Sequence, residues 1–411
     1  MAHRRAAFLL AVALTVLGLA TTQAQLQNGF YKGKCGANDV EAIVQGVVKA
    51  RFSREPAVVA HLLRLQFHEC GVNGCDGGLL IDGPGTEKTA PPNLSVKGYD
   101  LIADVKTELE KRCPGVVSCS DIEILATRDA VRLAGGNAYA VRTGRRDRRQ
   151  SKAGDVNLPG PESTVAQATA FFGKLGLGQM DMVLLLGAHT VGVTHCSAIK
   201  SSRLYSYGGK AGATDPSLDP YYAFVYKNYV CPNKPSSDDT VVFLDDQWSA
   251  LKVDKSFYKM LQKRRGVLSV DQNLYGYGAP TRWMVDMLAN TENFSWLFPQ
   301  ALVKLSEMPP RRARTGSNNS GNNNPNPDVR LLINAHAQLM QIINQFIANQ
   351  KQNNNIHHSN NNNPPPGIDM LTRFLRLRPA KFSTALEPMI ALDWLRAVDK
   401  DLVTVGCTES E

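Results

Sequence analysis

Seven stretches between residues 40 and 290 place apolar side chains at i, i+3 and i+4, and strand signals between them are few and short. That periodicity limits the chain to a mainly α-helical body. The stretches are Val40–Arg51, Pro56–Cys70, Leu101–Lys111, Ser120–Leu133, Ser163–Leu175, Asp181–Leu186 and Thr281–Asn290. Ser163 and Asp181 stand where helix N-caps are expected. Gly and Pro clusters such as Asp82-Gly83-Pro84-Gly85 and Asn157-Leu158-Pro159-Gly160-Pro161 separate the segments. With 43% hydrophobic and 20% charged residues, a wholly disordered chain is excluded.

The first residues set the compartment. MAHRR is basic, Ala6–Ala20 is apolar, and Thr22-Gln23-Ala24 puts small residues at the −3 and −1 positions of a cleavage site. Residues 1–24 are therefore expected to be a secretory signal, too short for a membrane span. No later run reaches about 18 apolar residues, so an exported protein without a membrane partner is expected. Eight cysteines, an even count, fit disulfides in an oxidising compartment.

The body is expected to span residues 25–308. From Pro309 the texture changes. Residues 309–366 read as an Asn- and Pro-rich linker with one helical segment, Val329–Gln352, and residues 367–411 as a short foldable fragment. The formal charge of +9 falls to +7 without Arg4 and Arg5; the part from Pro309 holds 11 basic and 8 acidic residues, which leaves +4 on the body. So even a distribution gives no reason to expect a nucleic-acid partner.

Two motifs carry chemistry. In Arg64-Leu65-Gln66-Phe67-His68-Glu69-Cys70, Arg64 and His68 are four residues apart and share a helix face. A fixed cation beside an imidazole suits proton transfer with charge stabilisation. The following loop, through Gly78, sets Glu69 and Asp76 among glycines and carbonyls, a composition suited to a hard cation. In Leu184-Leu185-Leu186-Gly187-Ala188-His189-Thr190-Val191-Gly192, an apolar helix end delivers one imidazole between glycines, as an axial haem ligand requires.

Over residues 27–308 these motifs, in order, resemble the secretory class III plant haem peroxidases. Gly74-Cys75-Asp76, Pro92-Asn93, Cys113-Pro114-Gly115-Val116-Val117-Ser118-Cys119, Gly144-Arg145-Arg146-Asp147, Arg203-Leu204-Tyr205 and Asp271-Gln272 add to the likeness. The resemblance implies the haem peroxidase fold, with haem b between a distal and a proximal helical half. It also implies reduction of hydrogen peroxide and one-electron oxidation of small phenolic donors. His68 matches the distal base, Arg64 the distal arginine and Asn93 the acceptor behind His68. Glu87 matches the carboxylate linking this network to the calcium loop, and Phe67 the aromatic wall. His189 matches the iron ligand, Asp271 the carboxylate behind it, and Pro159 a residue beside the exposed haem edge.

Two calcium ions are implied as well. The distal set maps to Glu69, Val72, Gly74, Asp76 and Gly78, and the proximal set to Thr190, Asp246, Ser249, Lys252 and Asp254. The distal set departs from the family pattern, with Glu69 in place of Asp and Gly78 in place of a hydroxyl, so a weakened site is expected. Gln66 and Gly71 replace a usual His and Phe. The family's disulfides map to Cys35–Cys113, Cys70–Cys75 and Cys196–Cys231. The fourth would join Cys119 to a late cysteine, but the segment that carries it is absent, and Cys407 is a doubtful partner.

From about Asn322 the chain resembles the start of a gypsy-type retrotransposon gag protein, through its Asn- and Gln-rich lead-in, Phe374–Pro379 and Asp393-Trp394-Leu395-Arg396. The expectation is a secreted monomer of the cell wall or apoplast, with the vacuole as a second destination. The competing expectation is a folding-impaired peroxidase remnant fused to a retroelement fragment.

Overall fold

The computed structural model describes residues 26–308. The expected signal peptide, linker helix and gag-like part, with Cys407, all lie outside the described residues.

The described body is mainly helical, as its periodicity predicts. α1 (Val40–Phe52) opens on Asp39, whose carboxylate accepts the amides of Glu41 and Ala42, and closes on Lys49 and Arg51. α2 (Val58–Asn73) buries residues all round its surface, including Leu62, Leu65, His68 and Glu69. α3 (Tyr99–Glu110) follows, and then α4 (Cys119–Leu133), capped by the Ser118 hydroxyl. α1, α2 and α3 all pack on α4, which is the centre of this half. The Thr127 hydroxyl of α4 reaches the Leu62 carbonyl of α2 at 3.4 Å.

The second half holds α5 (Val165–Lys174), α6 (Gln179–Leu186), α7 (Ser256–Gln262), α8 (Ser269–Asn273), α9 (Arg282–Asn290) and α10 (Asn293–Ser306). Two expected caps move. Thr164, not Ser163, caps α5, because its hydroxyl accepts the Gln167 amide while the Gln167 side chain returns to the Thr164 amide. Asp181 lies inside α6, and its carboxylate reaches back to the Gly178 amide at 3.0 Å. Its charge therefore still serves the helix start, from one turn further in. The one small sheet among the described residues pairs β1 (Val193–His195) with β2 (Val241–Phe243) antiparallel, Val193 opposite Phe243.

α10 closes the body by packing on α6 and α2. The Arg145 guanidinium donates to the Ser306 carbonyl at 3.1 Å across 161 residues and is paired with the buried Asp121. Arg142 pairs with Glu307 and Lys304 with Asp181. Disulfides join Cys35 to Cys113, Cys70 to Cys75 and Cys196 to Cys231. Cys119 has no disulfide partner among the described residues, and burial with the nearby Asp147 charge pushes its thiol up to about 11.

Candidate active site

α2 brings Arg64, Phe67 and His68 to one place because positions three and four apart share a face. The 3-10 turn Pro91–Asn93 carries Asn93 to the same point. His68 Nδ1 lies 2.7 Å from Asn93 Oδ1, and Asn93 Nδ2 donates to the Glu87 carbonyl at 2.7 Å. An amide oxygen can only accept, so the His68 proton sits on Nδ1 and Nε2 keeps its lone pair. Arg64 Nε donates to that Nε2 at 3.3 Å, while its other nitrogens donate to the Pro92 and Ser95 carbonyls. Burial, with the Arg64 charge adding to it and the Asn93 bond opposing it, pushes His68 down to about 4.

Phe67 stacks on Phe172, with ring centroids 5.8 Å apart. A Cβ added at Gly71 would lie 3.1 Å from Leu158 and 3.4 Å from Phe171. The space that a Phe at position 71 would need is thus already filled. Pro159 follows Leu158 and is half-buried.

His189 sits on the turn Gly187–Thr190 at the end of α6. Gly187 is required there, since a Cβ would collide with Tyr258 and Phe294. His189 Nδ1 lies 2.9 Å from Oδ1 and 3.1 Å from Oδ2 of Asp271, which α8 holds fully buried. Burial pulls the imidazole down, but the Asp271 charge and hydrogen bond outweigh it and the net shift is upward. The turn touches α2, and Gly192 brings the chain within 3.3 Å of Ala60 once a Cβ is considered. The contact between this turn and α2 brings the elements that carry the two histidines together.

This donor set fits haem. His189 offers one free ring nitrogen, with the other engaged by a carboxylate, and 30% of its side chain is open although Asp271 is sealed. Arg64, Phe67 and His68 add basic and aromatic groups on one face of α2.

The two expected calcium sets differ. In the distal set, Glu69 Oε1 accepts the amides of Asp76, Gly77 and Gly78, and Oε2 accepts that of Leu79 at 2.7 Å. Asp76 Oδ1 accepts the Gly78 amide and Oδ2 faces Arg148 Nε at 3.6 Å. Val72 ends the buried side of α2, and Gly74 turns the chain at φ 89°. These residues do not fit a calcium ion. In the proximal set, the Thr190 hydroxyl lies 2.9 Å from Asp245 and 3.3 Å from the Lys252 carbonyl, and it accepts the Asp254 amide at 3.4 Å. The Ser249 hydroxyl meets that of Ser256 at 2.6 Å, and Ser256 donates to Asp245. Asp246 instead accepts the Trp248 amide. Hydroxyls, carboxylates and a carbonyl converge here, which suits a hard cation.

Sequence reasoning missed Asp245 and Arg148. The doublet Asp245-Asp246 and the basic run on either side of Asp147 were the available signals, but neither says which member turns inward.

A family model described as "Peroxidase" matches residues 44–291. The chain is 45% identical to Peroxidase 57 of Arabidopsis thaliana over 294 residues, 71% of this chain and 90% of that protein. It is 45% identical to Peroxidase 60 of Arabidopsis thaliana over 287 residues, 69% and 85% respectively. It is 41% identical to Peroxidase 5 of Vitis vinifera over 295 residues, 70% and 87% respectively.

Proposed function

The chain belongs to the class III plant peroxidase family, and on that premise we propose how its residues divide the work of a secreted, haem-dependent peroxidase. The enzyme is a peroxidase, and its family takes hydrogen peroxide together with reducing substrates and binds haem. Each peroxide is reduced to two waters by two electrons and two protons, which two donor molecules supply one electron at a time. We assign small phenols as those donors, with Pro159 beside their point of contact. When bound, haem supplies the redox-active iron at which the peroxide is reduced.

His189 would hold the haem iron through its free ring nitrogen. Asp271 fixes the ring and makes it a stronger donor. His68 Nε2, the ring nitrogen left with a lone pair, would take a proton from the peroxide and return it to the departing oxygen. Asn93 keeps Nδ1 protonated, so only Nε2 is basic. Arg64 stabilises charge on the departing oxygen. Phe67, packed against His68 and Phe172, would keep water from the space beside His68. The observation that carries this reading is the pair of oriented imidazoles, one on an amide oxygen at 2.7 Å and one on a carboxylate at 2.9 Å.

Of the two calcium ions expected, the proximal one would be held by Thr190, Ser249, the Lys252 carbonyl and Asp254, with Asp245 joining Asp246 as a candidate ligand. We assign residues 1–24 to a signal peptide, residues 25–308 to a monomeric peroxidase body outside any membrane, and the destination to the cell wall or apoplast. Residues 309–411 are a linker and a gag-like addition with no part in the chemistry. Sequencing of transcripts across codons 308 and 309, with the intact mass of the secreted protein, tests that junction. The remnant reading gains no support, because every residue assigned to the chemistry is present and α10 is fastened to the body.

The test is His68→Ala in the haem-reconstituted chain. The Soret band should remain while the second-order rate with peroxide falls about 10²–10⁴-fold. An unchanged rate removes His68 from the role of distal base. A parent chain without a Soret band removes the haem reading itself.

A further inference from the structure

Three features of the distal loop coincide. Glu69 is one methylene longer than Asp, and its carboxylate reaches past the loop's centre to four backbone amides, those of residues 76–79. Gly78 has no side chain, and a Cβ built there would lie 2.9 Å from Arg148 Cδ, 3.0 Å from Glu87 Oε1 and 3.1 Å from Asp76 Oδ1. Arg148 enters that space. Its Nε lies 3.6 Å from Asp76, its Nη1 lies 3.3 Å from Glu87, and its amide donates to the Asp76 carbonyl at 2.7 Å. Thus one side-chain ligand is spent on amides, a second is missing, and the third faces a guanidinium.

We propose that Arg148 is a built-in cation that takes the place of calcium in the distal loop and, through Glu87 and Asn93, keeps His68 oriented. The route is continuous. Arg148 holds the Glu87 carboxylate, the Glu87 carbonyl accepts from Asn93 Nδ2, and Asn93 Oδ1 accepts from His68 Nδ1. Asn73 adds a second donor to Glu87 at 3.3 Å, and Ser151 accepts the Glu87 amide at 2.8 Å. Asp76 and Glu87 are both buried, so without a cation their charges would face each other with little solvent between them. Any aliphatic side chain at 78 would push Arg148 away, which ties the absent hydroxyl to the arriving guanidinium. Arg148 is a positioning residue. Its effect on His68 rests on the distal role proposed above, whereas the replacement of calcium stands on the loop alone.

The experiment measures calcium bound per chain by equilibrium dialysis of the haem-loaded full chain against calcium chloride, followed by elemental analysis. Asp76→Asn should leave bound calcium unchanged. Loss of a calcium in Asp76→Asn overturns the proposal, whatever the enzyme's activity. The repair variant Glu69→Asp/Gly78→Ser/Arg148→Gly should gain one calcium per chain and acquire a melting temperature that falls with chelator. A folded repair variant with the parent's calcium content also overturns it. Arg148→Gln should melt about 3–6 °C lower, with Arg148→Lys recovering part of the loss. An Arg148→Gln protein as stable as the parent in chelator removes Arg148 from the role. If calcium behaves as expected while Arg148→Gln keeps the parent's rate with peroxide, the link to His68 fails and the loop assignment survives.

Discussion

The distal and proximal halves each orient one imidazole through Nδ1, but with opposite partners. His68 is set against a neutral amide, and burial with the Arg64 charge pushes it down to about 4. His189 is set against a sealed carboxylate that lifts it despite burial. In the roles proposed, the same residue type serves as a proton acceptor in one half and as an electron-rich ligand in the other. The difference lies in the charge of the group behind the ring.

Exchanging those partners is the most direct way to break the contrast. The largest effect is expected from His189→Ala, which should abolish haem retention and so the Soret band. Asn93→Asp would give His68 a carboxylate partner and raise its pKa. The rate with peroxide at pH 5 should then fall about 10–100-fold and recover as pH rises. A rate unaffected at pH 5 would show that the partner's charge does not set the basicity of His68.

Asp271→Asn should leave haem bound but weaken the donor behind the iron. The iron reduction potential should rise, measured by spectroelectrochemistry, with a smaller fall in the peroxide rate than Asn93→Asp causes. An unchanged potential would make Asp271 a packing residue only. In the parent protein the peroxide rate should stay flat down to about pH 5 and fall on protonation of His68 near pH 4. A break at pH 6.5 contradicts the depressed value. The sign for stability is the same. The unfolded imidazole binds its proton near pH 6.5 and the folded one only near 4, so stability is lost as pH falls through that window. The smallest effect is expected from Phe171→Ala. Its ring is only partly buried beside Gly71 and Phe67, so the loss should be about 1–3 kcal/mol in urea unfolding, with the peroxide rate retained.

The helices and the Arg64–His68 pair were legible because they rest on local rules, whereas Asn93 and Asp271 were implied by the family resemblance alone. Periodicity marked α1 to α6 and α9, and spacing placed Arg64 and His68 on one face. The caps of α5 and α6 were misplaced by one and three residues, because Ser, Thr and Asp near a helix start compete for the same amides. What escaped was the set of contacts between distant positions. Gly71 and Gly78 read as losses when taken one at a time. Phe171 fills the first gap and Arg148 the second, at separations that no local pattern records. Asp245 escaped for a similar reason, since adjacent carboxylates point apart and only the fold decides which one faces Thr190.

The fastening of Arg145 to Ser306 bears on the order in which the chain folds as it is made. The contact spans 161 residues, so the body cannot complete itself until its last helix has been synthesised. By then the distal and proximal elements have both emerged, and α10 acts as the latch that joins α6 to α2. A ribosome stalled before codon 300 therefore holds a body that lacks the contacts of its last helix with α6 and α2. One that has passed codon 308 by the length of its exit tunnel holds a chain able to close. The residues that follow act, during synthesis, as the tether on which that closure occurs.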